Sequence, residues 1–222
     1  VQAGLSSSSA LVVAWMQALA RVADQELTPL ELARWANRVE VAHFGAPGGH
    51  MDHVASALGG TLRIHSDWNV ERLDRSVDGV WVVVDSGKSK DTSGHLTRCK
   101  SDRLALVTKH GGQWCAPEEL STWDELTDEE QNMWRATWEN QRLEAIAAKN
   151  WSDHPDVPKW MTEHHAQLRD GLGLSTPQLE RLGEAAMSAG AMGWKVVGSG
   201  GGGCGLAWVP DRHAPQVHEA VR

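Results

Sequence analysis

GLSSSSAL, residues 4–11, sets a glycine and four serines directly ahead of an apolar run with helical spacing. Glycine and small hydroxyl residues before a helix let backbone N–H groups and the helix end converge on an anion. A serine hydroxyl there can also coordinate Mg2+ carried on phosphates. The plainer reading is a serine-rich helix cap. The stretch is not a P-loop, because no lysine follows the glycine, and it lacks the flanks of a G-x-S-x-G nucleophile elbow.

Working outward, Leu11, Val12, Trp15, Met16, Leu19 and Val22 recur at helical spacing and predict a core-facing helix to about Asp24. TPLELARWANRVEVAHF, residues 28–44, predicts the next helix: Thr28 caps it, Pro29 suits its first position and Glu31 completes a capping box. Its apolar face holds Leu32, Trp35, Ala36 and Val39, with Glu40 at the edge of the stripe. GAPGGHMDH, residues 45–53, then places Asp52 in a glycine-rich turn, and MDHVASALGG predicts a short helix ending at Gly59 and Gly60. Glu40 and Asp52 can divide the work of binding Mg2+ and orienting or deprotonating a hydroxyl. Alternatively they are a surface glutamate and a capping aspartate. His43, His50 and His53 match neither HExxH nor a zinc-finger spacing.

TLRIHSD predicts a strand, GVWVVVDSG a covered strand, and KSKDTSGHLTR, residues 88–98, a loop. Helices follow in STWDELTDEEQNMW with its continuation, from Lys159 onward, and in STPQLERLGEAAMSAG, where Ser175 is the expected cap and Gln178 stands at the box position. GSGGGGCG, residues 198–205, lies between two apolar runs and predicts strand, glycine turn, strand. Consecutive glycines cost folding entropy, so close approach of the backbone to a ligand or to another loop is the expected reason. Helices and strands alternate without a repeat, which favours α+β over repeated βαβ units.

The chain of 222 residues is long enough for one large domain or two small ones. Its net charge of -8 argues against nucleic acid and anionic membrane as partners. Three cysteines without a CxxC pair, no signal peptide and no long apolar segment predict a reducing, cytoplasmic protein. The tryptophan-rich, tyrosine-free composition has no functional account.

These stretches, in this order, resemble the GHMP kinases, the superfamily of galacto-, homoserine, mevalonate and phosphomevalonate kinases. GLSSSSAL is similar to the motif that wraps ATP phosphates, and KVVGSGGGGC to the later glycine loop. EVAHFGAPGGHMDHVASALGG, VVVDSGKSKDTSG and MTEHHAQLRDGLGLSTPQLERL resemble the galactokinase-like subgroup. The resemblance implies an α+β GHMP kinase fold. Residues 1–110 would be the remainder of a ribosomal-protein-S5-like, ATP-binding N-terminal domain, and residues 111–222 a ferredoxin-like C-terminal domain.

Carried over residue by residue, the resemblance implies phosphate binding by Gly4, Ser6, Ser7, Ser8 and Ser9, and a Mg2+ ion on Ser8 and Glu40. Asp52 would be the catalytic carboxylate. Gly48, Gly49, His50 and Gly200, Gly201, Gly202 and Gly203 would lie near the substrate. Ser9 stands where alanine is usual, and His53 where galactokinases usually have glutamine. The implied reaction is ATP-dependent phosphorylation of a monosaccharide hydroxyl, the anomeric one being favoured. The competing expectation is a catalytically silent sugar- or nucleotide-binding protein or partner subunit. Family members carry a longer segment ahead of the serine motif, so a separate N-terminal segment or subunit is an expected partner, and weak or no activity is expected of the chain alone.

Overall fold

The computed structural model describes residues 4–44, 48–73, 79–88, 92–151, 156–198 and 200–222, with the backbone alone for 92–99. The expected turn residues Gly45, Ala46 and Pro47, the expected loop residues Ser89, Lys90 and Asp91, and Ser199 of the glycine loop lie outside the described residues. The chain divides into two compact units, one built on Ser6–Ser76 and the other on Val77–Arg222 together with Gln2–Leu5.

The first unit begins with α1, Ser7–Val22. Thr28 caps α2, Pro29–Asn37, through a capping box with Glu31. The helix continues into a π-helical turn, Arg38–His43. After Gly48 and Gly49 come α3, Met51–Leu58, and an antiparallel hairpin of β1, Leu62–Ile64, and β2, Val70–Arg72. Val13, Leu32 and Ala36 form the centre of this unit, with Val12, Met16, Leu27 and Ala57 packed around them.

Two expectations change here. Leu11, Trp15, Leu19 and Val22 are exposed on α1, because α2 and α3 take up the face that carries Ser9 and Val13. The second strand of the hairpin was also missed. Its three residues alternate too briefly to register as a strand.

In the second unit β3, Val80–Asp85, forms the edge of a three-stranded antiparallel sheet of order β3, β5, β4. The expected covered strand is therefore an edge strand with Val80, Trp81 and Val83 exposed. Within the expected loop of residues 88–98, residues 92–98 are instead the start of α4, Thr92–Lys109. Thr127 caps α5, Asp128–Lys149, with a capping box to Glu130. Leu106 and Val107 of α4 meet Leu126 and Trp134, and the Trp134 indole donates to the Cys115 carbonyl at 3.0 Å.

Next come α6, Val157–Ala166, a second π-helical turn, Gln167–Gly171, and α7, Pro177–Ser188. The cap of α7 is Thr176 rather than Ser175, whose hydroxyl donates to Glu180 instead. β4, Gly193–Val196, and β5, Cys204–Val209, flank the glycine loop, and α8, Ala214–Ala220, closes the unit. Trp194 lies between Gly183 and Gly205, where any side-chain carbon would strike its indole. Val84, Leu179, Val196 and Val209 complete the core beneath α7.

Candidate active site

Helix α1 starts without a side-chain cap. Ser6 occupies the cap position with φ 57°, a left-handed conformation uncommon for serine, and makes no capping hydrogen bond. No acidic residue stands in the first turn. The first-turn N–H groups therefore have no anionic side chain of their own helix to meet, which favours an external anion there. Gly4, with φ 78°, leads into the turn. Ser6 is half-buried, Ser7 and Ser8 are exposed, and Ser9 is buried.

Glu40 projects from the first π-helical turn and gathers three side chains. His53 Nε2 donates to its Oε2 at 2.8 Å. Burial alone would raise the Glu40 pKa, but side-chain hydrogen bonding from Ser8 and Ser9 and the bond from His53 outweigh it and hold the carboxyl below the usual carboxylate value. Glu40 is thus ionised, and no Lys or Arg side chain pairs with it among the described residues. Because Ser9 is only 5% exposed, Ser8 is the hydroxyl beside Glu40 that an incoming ligand can reach.

A carboxylate and a hydroxyl are hard oxygen donors of the kind Mg2+ prefers, and that ion commonly keeps waters and substrate phosphates in its remaining positions. The donor set fits on that ground. Among the described residues no group of three or more His, Cys, Asp and Glu side chains is arranged to hold a metal.

Asp52 lies in the first turn of α3, half-buried, and forms no hydrogen bond or ion pair with the described residues. Gly48 and Gly49 carry ordinary backbone angles, and a side-chain carbon at Gly49 would meet nothing within 4 Å. The described surroundings therefore do not demand glycine at 49. His50 is tied elsewhere: its Nε2 donates to the His65 carbonyl at 2.9 Å and its ring stacks on Trp68 at 4.2 Å. The residue to which the sequence assigned no role at the site is His53, 1% exposed, which bridges Glu40 and Asn37. Its only advance signal was its departure from the expected glutamine.

In the second unit the glycine loop is held by its own surroundings. A side-chain carbon at Gly200 would strike the Leu174 carbonyl, and Gly201 N donates to that same oxygen at 2.9 Å. Gly203 N donates to Lys88 O and Ser86 N to Gly203 O, both at 3.0 Å. Gly200, Gly202 and Gly203 are buried and Gly201 is half-buried. Here the close approach is to another loop of the chain. Among the described residues no helix is long and apolar enough to cross a membrane.

The family description "GHMP kinases N terminal domain" matches residues 1–60, and "GHMP kinases C terminal" matches residues 143–222. Galactokinase from Mycobacterium bovis is 29% identical over 236 residues, covering 100% of this chain. The chain spans 65% of that relative's length. Mevalonate kinase from Thermococcus sibiricus is 34% identical over 224 residues, covering 100% of this chain and 60% of its own. The crystal structure of Lactococcus lactis galactokinase complexed with galactose superposes with a TM-score of 0.87 at 20% identity, over 100% of this chain and 62% of that one.

Proposed function

We propose that this chain, which belongs to the GHMP kinases, carries the phosphate- and metal-binding part of an ATP-dependent kinase whose acceptor is a monosaccharide hydroxyl, the anomeric one being favoured. The observation that carries the reading is Glu40: an ionised carboxylate without a cation partner among the described residues, reached by Ser8 at the uncapped start of α1. In this reading the first-turn N–H groups of α1, with Gly4, Ser6, Ser7 and Ser9, bind phosphate oxygens, and Ser8 and Glu40 hold Mg2+. The ion, when bound, neutralises charge on the transferring phosphoryl group.

Asp52 receives the proton of the sugar hydroxyl as that oxygen bonds to the γ-phosphorus. The bond between the γ-phosphorus and the bridging oxygen breaks, and its electron pair leaves on ADP. Gly48, Gly49 and His50 border the acceptor, and Gly200 to Gly203 the phosphates or substrate. Residues 1–110 and 111–222 are the corresponding family domains, and the compartment is the cytoplasm.

A sugar acceptor is supported by the galactokinase relative and by the structural likeness to a galactokinase. A mevalonate-type acceptor is the second reading, favoured by the 34% identity to the Thermococcus enzyme. The test is a coupled ATP-consumption screen on the protein purified from its source, across monosaccharides with mevalonate alongside. Consumption with one sugar is expected. Consumption with mevalonate alone would move the acceptor to the second reading. Nucleotide binding without turnover on any acceptor would overturn the kinase reading in favour of a binding protein.

A further inference from the structure

We propose that His53 and Asn37 are positioning residues that fix the Glu40 carboxylate for a divalent cation, an inference that rests on the metal reading above. The hydrogen-bond chain has one consistent direction. The Gly49 carbonyl can only accept, so the Asn37 amide nitrogen faces it, at 2.9 Å. The second hydrogen of that nitrogen then meets His53 Nδ1, at 3.3 Å, which must offer a lone pair. The ring proton therefore sits on Nε2 and is donated to Glu40 Oε2, at 2.8 Å.

The ring is 1% exposed and has no water to turn toward. Asn37 ends α2 and Glu40 follows three residues later in the π-helical turn, so both ends of the imidazole are gripped from one continuous stretch of helix. Because Asn37 also holds Gly49, three residues ahead of Asp52, the carboxylate and the glycine turn are set by the same amide. A carboxylate locked in one plane meets a cation without first giving up rotamer freedom, the usual role of outer hydrogen bonds around metal ligands.

The experiment is Mn2+ binding to the full chain by electron paramagnetic resonance, with and without a non-hydrolysable ATP analogue, alongside analogue affinity in the absence of metal. His53→Leu and Asn37→Ala are expected to weaken Mn2+ binding by about tenfold or more. His53→Gln, which keeps an N–H donor for Glu40, is expected to restore it to within about threefold of the unmodified chain. Metal-free analogue affinity stays unchanged, which separates positioning from general loosening. Should His53→Leu not fold, Asn37→Ala decides. Unchanged Mn2+ binding in His53→Leu or, failing that, in Asn37→Ala, with loss in Glu40→Gln, overturns the positioning role and leaves the metal reading standing. Unchanged binding in Glu40→Gln, or no Mn2+ binding by the unmodified chain, overturns the metal reading and this inference with it.

Discussion

The two units each bury a histidine against a glutamate, and the pairs share a hydrogen-bond grammar. In the first, His53 Nε2 donates to Glu40 at 2.8 Å while Nδ1 faces the Asn37 amide nitrogen. In the second, His165 Nε2 donates to Glu180 at 3.0 Å while Nδ1 accepts from Val196 N at 3.4 Å. Both glutamates also interact with serine hydroxyls, Ser8 and Ser9 in one case and Ser175 in the other. They differ in charge balance. Arg169 reaches Glu180 at 3.2 Å and Asp170 at 2.6 Å, so the second cluster closes its own ion pairs. Glu40 has no such cation among the described residues. One cluster is complete as folded, and it lies in the segment that meets the glycine loop through Leu174. The other holds a carboxylate that no Lys or Arg among the described residues balances.

The sharpest way to break this contrast is turnover. Asp52→Asn is expected to lower kcat by about 100-fold or more, in line with loss of a general base, while nucleotide affinity is spared. An equal loss of both would remove its catalytic role. Next comes the exchange of glutamates. Glu40→Gln should raise the Mg2+ concentration needed for half-maximal activity by about tenfold, and Glu180→Gln should leave that titration unmoved. In urea unfolding the ranking reverses: Glu180→Gln should cost about 2 kcal/mol through its charge-assisted bonds, more than Glu40→Gln. Gly205→Ala, pressed against Trp194, should also destabilise the second unit by about 1–3 kcal/mol, read from the same curves.

The smallest step, per pH unit, is the acid limb of stability. Burial, with Lys195 and His165 adding to it, pushes the His164 pKa down from 6.5 to about 3. The unfolded chain therefore binds a proton as pH falls through 6.5, which the folded chain refuses until about pH 3. Stability drops across that window by up to about 1.4 kcal/mol per pH unit. Glu40 and Glu180, both held below the usual carboxylate value, add stability above that value that is lost as acid protonates them. Urea midpoints from pH 7 to pH 3 should show a shallower limb in His164→Gln.

Local chemistry was legible in the sequence wherever the deciding contact lies within a turn. The Thr28 and Glu31 box, the start of α3 at Met51 and the pairing of strands around the glycine loop all follow from neighbours a few residues away. What failed depended on distant partners. The choice of which α1 face is buried belongs to α2 and α3, so Trp15 and Val22 ended outside. The polar start of α4 carries no apolar stripe to announce a helix, although Leu106 and Val107 later anchor it. At the site, Ser8 and Glu40 were paired in advance through resemblance, and the structure does bring them together. His53 was not, because its bond to Glu40 spans thirteen positions and leaves no periodic trace.

The glycine loop has a consequence in terms of handedness. Gly198, Gly200, Gly201, Gly202 and Gly203 have φ of 66°, 68°, 74°, 127° and 73°, the sign natural to mirror-image amino acids. Over those residues the backbone of an otherwise L-protein runs through the conformational territory of D-residues. In a chemically synthesised chain, D-alanine at Gly201 would keep a torsion that L-alanine would have to strain to reach.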